Sequence, residues 1–240
     1  MRSSGRVDMS TRGFLADLPD SLRYAASKRV EFEVTGMICS RIPRSARVLD
    51  VGCGTGSISS LVVAECDAKL VGIEPDPDRA EACRSRGIET VCGYYDDQTA
   101  DELGAFDVIM FADVLEHVPD PVSLLERAAQ HLTRTGCVIV SVPNVAHWTI
   151  RWSLLRGRFD YQPIGIMDAT HLRWFTYRTA ERVIAAAGLS VVEHDWTSGS
   201  WMSIYRRIPK RCRRALLRAL VRLAPHVFGC QHLVTARRAT

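Results

Sequence analysis

Asp113, Glu116 and His117 stand within five consecutive residues, and His171 follows 54 residues after His117. Two carboxylates and an imidazole on one turn, completed by a distant second imidazole, could hold a divalent cation. Oxygen ligands suit Mg²⁺ or Mn²⁺, and imidazoles also admit Zn²⁺ or Fe²⁺. The same residues can do plainer work, with the Glu and His bonding backbone or lining a pocket. His171 has a second use, because an imidazole neutral near pH 7 can take the proton from a hydroxyl nucleophile. Asp168, three residues earlier, could orient that ring, and His147 and His117 are rival bases.

A second constellation lies upstream, in Asp50-Val51-Gly52-Cys53-Gly54-Thr55-Gly56. Glycines there let the backbone turn sharply and approach a ligand without side chains intervening. Glu74, followed by Pro75, closes the next apolar run, where its carboxylate can accept from both hydroxyls of a ribose. Together they point to a nucleoside ligand. The loop departs from the dinucleotide pattern G-x-G-x-x-G, because its third glycine comes one residue early, and it lacks the Gly-Lys-Ser/Thr of a P-loop.

These residues must be positioned by a fold, and its class is readable. The chain has 240 residues, 47% hydrophobic and 24% charged, which fits one globular domain with a sizeable core. No apolar run approaches the roughly 18 residues of a membrane span. Met1 to Leu18 has no apolar centre and so does not read as a secretory signal, which makes the cytoplasm the expected compartment. The eight cysteines include no C-x-x-C pair and are expected as free thiols. Residues 1–13 are expected to be disordered and 14–240 to form one domain, beginning with a helix over 21–40. Strands are expected at 47–51, 69–74, 88–92, 106–112, 137–142, 189–196 and 232–236. Helices are expected at 57–64, 78–86, 120–132 and 179–187. Asp120 before Pro121 reads as an N-cap, and Gly136 and Gly188 read as helix stops. Strands alternating with helices imply a doubly wound α/β sheet, whose ligands bind beyond the carboxyl ends of the strands.

With those elements in place, Leu49-Asp50-Val51-Gly52-Cys53-Gly54-Thr55-Gly56 resembles motif I of the Rossmann-like S-adenosylmethionine-dependent methyltransferases. Phe106-Asp107-Val108-Ile109, followed by Asp113 to Pro121, is similar to their strand-four segment, and the resemblance covers about residues 45–196. It implies seven strands, mostly parallel with an antiparallel last strand, for which His232–Ala236 is the candidate. It implies that Asp50, Gly52, Cys53, Gly54 and Gly56 surround the methionine part of S-adenosylmethionine and that Glu74, Pro75 and Asp113 line the cofactor. Many relatives carry a Gly-Asp pair after strand three, with the Asp beside the adenine amine. Here the pair is Gly93-Tyr94, and Asp96 and Asp97 are open alternatives. Ubiquinone-biosynthesis O-methyltransferases and small-RNA 2′-O-methyltransferases have Glu-x-x-Glu-His at this point, the latter with a later His. The resemblance therefore implies Asp113, Glu116, His117 and His171 as ligands of Mg²⁺ or another divalent metal, with Asp113 one methylene shorter than the usual Glu.

Residues 144–175 form a long insertion at the active edge, expected to be a helical lid. It carries Trp148, Trp152, Phe159, Tyr161, Trp174 and Phe175, with Arg151, Arg156, Arg158 and Arg173. Aromatic faces can stack on sugars and arginines can hold phosphate, although single aromatics more often pack onto the core. Its motifs resemble methyltransferases of bacterial polysaccharide and glycoconjugate synthesis. The expected acceptor is therefore a hydroxyl of a sugar, glycolipid or glycosylated metabolite. A small molecule of quinone or natural-product synthesis is the alternative, and a noncatalytic cofactor-binding module the alternative of another class.

No acidic residue follows Asp195, whereas ten of the 31 basic residues do, so the first 195 residues carry a net charge of −6. Within the insertion over 206–226, residues 208–223 read as an amphipathic helix. Arg211, Arg214, Arg218 and Arg222 form one stripe, and Cys212, Leu216, Leu220 and Leu223 the other. Such a helix can lie peripherally on the inner face of a membrane, or pack its apolar stripe on its own sheet and leave the basic face in water. Nucleic acid is the weakest partner, because the basic residues sit on one peripheral element with no RNA-binding module.

Overall fold

The computed structural model describes residues 32–199, 205 and 208–239. The stretch expected to be disordered, 1–13, and the first half of the helix expected over 21–40 lie outside the described residues. The observed elements are α1 Val34–Arg41, β1 Arg47–Val51, α2 Ser57–Cys66, β2 Lys69–Glu74, α3 Pro77–Arg84, β3 Glu89–Cys92, α4 Asp97–Leu103 and β4 Phe106–Ala112. A 3₁₀ turn, Leu115–His117, precedes α5 Pro121–Gln130, β5 Leu132–Pro143, α6 Trp148–Leu155, α7 Tyr177–Ala186 and β6 Leu189–Trp196. The chain continues with α8 Lys210–Leu223, α9 Pro225–Phe228 and β7 Gln231–Arg238.

The seven strands form one sheet in the order β3-β2-β1-β4-β5-β7-β6. The β1, β2, β3, β4 and β5 pairings are parallel, and β7 runs antiparallel between β5 and β6. Successive residues of the central strands point to opposite faces, and both faces are covered. Leu49, Ile109 and Phe111 are fully buried on the side that also holds Leu125 of α5 and Ile184 of α7. Val48, Val108 and Met110 are equally buried on the side of Ile38 and Val62, from α1 and α2. Each such side chain contributes roughly 1.5–3 kcal/mol by leaving water.

Strand order reverses between β1 and β4, so the crevice for a ligand opens there. The connections after β1, β2, β4, β5 and β6 all leave from the carboxyl edge. Two expectations need correction around β5. The strand starts at Leu132, with a register shift against Phe106 and Val108, and so takes the end of the helix expected over 120–132. Gly136 lies inside this strand, where a Cβ would stand 3.0 Å from the Phe106 carbonyl, so close backbone approach selects it and not a helix stop. Gly188, at φ +71, does close α7. Sequence pattern gives no sign of α4, which is capped by Asp96, whose carboxylate accepts from the Thr99 N–H. Helix α6 is the helical part of the 144–175 insertion.

Candidate active site

The loop after β1 is built on left-handed backbone. Gly52, Gly54 and Gly56 have φ of +73, +57 and +75. A Cβ on Gly52 would lie 2.7 Å from the Val114 side chain, and one on Gly56 would lie 2.6 Å from Cys83 Sγ. The loop is tied down by Gly52 and Cys53 N–H groups donating to the Ile73 carbonyl. Glu74 faces it: its carboxylate accepts from the Gly54 N–H at 2.8 Å and from the Asp76 N–H at 3.0 Å. A carboxylate offers about four acceptor positions, so capacity for ribose hydroxyls remains. Pro75 is exposed beside it.

Asp50 is buried at the end of β1. One oxygen accepts from the Ser59 hydroxyl at 2.6 Å, and the other has no hydrogen-bond partner among the described residues. Burial pushes this carboxyl up to about 7, against the opposing Ser59 bond. A buried carboxylate with one unanswered oxygen is suited to a cationic group of a ligand. Cys53 Sγ lies 3.6 Å from Cys83 Sγ, which buttresses the loop from α3.

The second half of the site lies past β4. The ligating atoms of Glu116, His117 and His171 fall within 4.8 Å of one another. Both Glu116 oxygens are buried without a hydrogen-bond partner among the described residues. Burial raises this carboxyl well above the ordinary range, and the Asp113 and Asp168 carboxylates push the same way. The two imidazoles meet edge to face at 4.8 Å. His171 Nδ1 lies 3.1 Å from the Ile166 carbonyl and must donate there, which puts the lone pair on Nε2. His117 Nδ1 likewise lies 3.2 Å from the Thr170 carbonyl. The Leu172 and Arg173 N–H groups donate to the Glu116 carbonyl, locking the 115–117 turn to the segment that carries His171.

The structure does not bring Asp113 into this cluster. At φ +57 its side chain turns back to accept from Ser141 Oγ at 2.7 Å and from Gln231 Nε2 at 2.9 Å. Asp168 braces the turn that carries His171 and reaches His117 only through Thr170. Its carbonyl accepts from the His171 N–H at 3.1 Å. Its carboxylate accepts from the N–H and hydroxyl of Thr170, whose oxygen lies 3.2 Å from His117 Nδ1. His147 caps α6: its Nδ1 lies 2.7 Å from Thr149 Oγ1 and accepts from the Thr149 N–H. The proton then sits on Nε2, and burial lowers this imidazole to about 4, so it is a poor base. Asp96 is an exposed helix cap, and Asp97 accepts from Arg127 Nε at 2.5 Å. Ser59, Ser141, Thr170 and Gln231 support the site, and sequence reasoning misses all four. Nothing local marks them, since each is brought in by helix placement, strand register or a loop closing over the edge.

In the 144–176 connection, Phe159, Tyr161 and Trp174 form one cluster with ring centroids 5.4–6.2 Å apart. Phe159 and Tyr161 stay about 40% exposed, whereas Phe175 is buried. Arg156 lies over the exposed Trp152 ring at 4.1 Å.

A doubly wound sheet whose carboxyl edge holds a glycine loop against a buried carboxylate is a nucleoside-cofactor domain. The antiparallel β7 inserted between β5 and β6 gives it the Rossmann-like methyltransferase topology. The chain belongs to the methyltransferase-domain family, whose model matches residues 22–194. It is similar to a ubiquinone biosynthesis O-methyltransferase from Xanthomonas oryzae pv. oryzae (33% identical, covering 41% of this chain and 44% of the relative). The match to that of Xanthomonas axonopodis pv. citri is 32% identical over 57% of this chain and 58% of the relative. The chain thus spans about half the length of the curated relatives it matches. A SAM-dependent methyltransferase from Archaeoglobus fulgidus shares the fold, with TM-score 0.58 at 18% identity, covering 87% of this chain and 96% of that one.

Proposed function

We propose that this chain transfers the methyl group of S-adenosylmethionine to a hydroxyl of a sugar, glycolipid or glycosylated metabolite. The observation that carries hydroxyl chemistry is the Glu116–His117–His171 cluster, with its unpartnered carboxylate, on the edge that holds the glycine loop. The hydroxyl oxygen attacks the methyl carbon, the carbon–sulfur bond breaks with its pair left on sulfur, and the proton passes to His171 Nε2. The protein's task is to align three atoms and remove one proton. Asp50, Gly52, Cys53, Gly54, Gly56 and Glu74 hold the cofactor.

Glu116, His117 and His171 also fit a divalent cation, because they offer a buried carboxylate without donors and two imidazoles whose Nδ1 atoms are tied to carbonyls. A cation there would occupy the His171 Nε2 lone pair and so replace it as base, lowering the pKa of the acceptor hydroxyl until its proton leaves to water. The half-exposed aromatic cluster of Phe159, Tyr161 and Trp174 supports a sugar face as acceptor. The names of the curated relatives favour a second reading, a small-molecule acceptor of quinone or natural-product synthesis. Methyl-labelled cofactor with source-cell extract, counted in lipid, polysaccharide and small-molecule fractions, separates them. Label in lipid or polysaccharide supports the first, and label confined to small molecules supports the second. Chelator loss of activity restored by Mg²⁺ assigns the cluster to a cation; indifference to chelator leaves His171 as an unaided base.

A further inference from the structure

Helix α8 does not bury its apolar stripe. Leu217 is fully buried, and Leu220 and Val221 are half-buried beside it. Cys212, Ala215, Leu216, Ala219 and Leu223 are exposed, Leu223 to 82%. They recur at helical spacing and so share one outward face. The expectation that a packed apolar stripe leaves only a basic face in water therefore fails. Arg214 and Arg222 are exposed along one side of that face, and Arg218 is half-buried with its guanidinium over the Phe32 ring at 3.4 Å.

We propose that this outward face of α8 seats the protein on an anionic lipid bilayer. Apolar side chains flanked by arginines match the acyl–headgroup boundary, where leucines enter the apolar layer and guanidiniums meet lipid phosphates. No acidic residue after Asp195 opposes that contact. A second copy is a poorer occupant, because an antiparallel pairing of two such faces would set arginine beside arginine and a parallel one would leave them without a counter-charge. Nucleic acid would leave the leucines against water.

The helix lies where this matters. It is inserted between β6 and β7 at the carboxyl edge. Tyr205, upstream of it, is tied to α6 of the insertion by Trp148 Nε1, which donates to the Tyr205 hydroxyl at 2.7 Å. Another exposed apolar side chain, Leu155, stands at the end of α6. A bilayer held by α8 would therefore lie beside the edge where the acceptor enters. The proposal does not depend on which acceptor that is.

The test uses the full chain and vesicles of phosphatidylcholine, alone or with about one-quarter phosphatidylglycerol. The protein should sediment with the anionic vesicles and not with the neutral ones, and added salt should weaken binding. Arg214→Gln with Arg222→Gln should cost about twenty-five-fold, at about fivefold per arginine. Leu216→Asp with Leu223→Asp should cost at least about tenfold without changing the circular dichroism or the unfolding midpoint. A polarity-sensitive dye on the exposed Cys212, in a Cys92→Ser background, should shift to the blue on anionic vesicles only. Equal binding to both vesicles, no binding to either, or undiminished binding of the leucine variant overturns the proposal. So does a dimer in sedimentation velocity that the leucine substitutions dissolve, since the face would then be a self-interface.

Discussion

Between about pH 7.5 and pH 6 the protein should lose about eightfold in affinity for S-adenosylmethionine, and Asp50→Asn should remove that dependence. Burial holds the Asp50 carboxyl at about 7 in the unliganded chain. A ligand ammonium beside it favours the carboxylate, so below about 7 binding must first take a proton from Asp50. That cost approaches tenfold, or about 1.4 kcal/mol, per pH unit. Stability of the unliganded protein carries the matching sign. Because the folded value lies above the ordinary 3.8, the contribution of this group is full below about 4 and is lost as pH rises through about 7. The loss is at most about 4 kcal/mol. Asp50→Asn should therefore unfold at higher temperature than wild type at about pH 8, less about 1 kcal/mol for a weaker bond to Ser59. Titration calorimetry at both pH values, in two buffers of different ionisation heat, reads the affinity and the proton released. A flat wild-type affinity with no proton release at about pH 6 refutes the reasoning.

Glu116→Gln should raise the unfolding midpoint at about pH 8, because burial makes the ionised form of Glu116 costly, and should lower kcat by about a hundredfold or more where the cluster holds a cation, since the carboxylate ligand is lost. Thermal scans and steady-state rates on one preparation check both. Gly52→Ala adds a Cβ 2.7 Å from Val114 at φ +73, and should cost at least about 1–2 kcal/mol in urea unfolding and weaken cofactor binding. His147→Ala should lose about 1 kcal/mol of capping in the same unfolding assay, with kcat within about threefold of wild type. His171→Ala should lose about 10²–10⁴ in kcat, measured at saturating cofactor, and should cost about 1–3 kcal/mol in unfolding because it strands the Ile166 carbonyl.

Much of this fold is legible because local signals agree. The bounds of β1, β2, β4 and β6 coincide with their apolar runs, and Asp120 before Pro121 caps α5 as its types suggest. The glycine loop after β1 is equally legible, since positive φ at Gly52, Gly54 and Gly56 needs residues without a Cβ. The illegible parts depend on distant register. Gln231 reaches Asp113 only because β7 pairs antiparallel with β5, opposite Pro143. That contact withdraws Asp113 from a ligand set that spacing alone supports. His147 looks like a base in sequence, and only burial and the Thr149 bond show it as a cap. In α8, periodicity marks an apolar stripe but not which way it faces, and the structure turns it outward.

Methyl transfer to a hydroxyl beside His171 is tested most directly by the carbon NMR spectrum of the product. The reaction would pair ¹³C-methyl-labelled S-adenosylmethionine with a vicinal-diol acceptor, for wild type and for His171→Ala. A methoxy signal should build with wild type and be all but lost in the variant, while cofactor binding persists in both. Label on nitrogen or carbon, or equal methoxy formation by the two proteins, would contradict it.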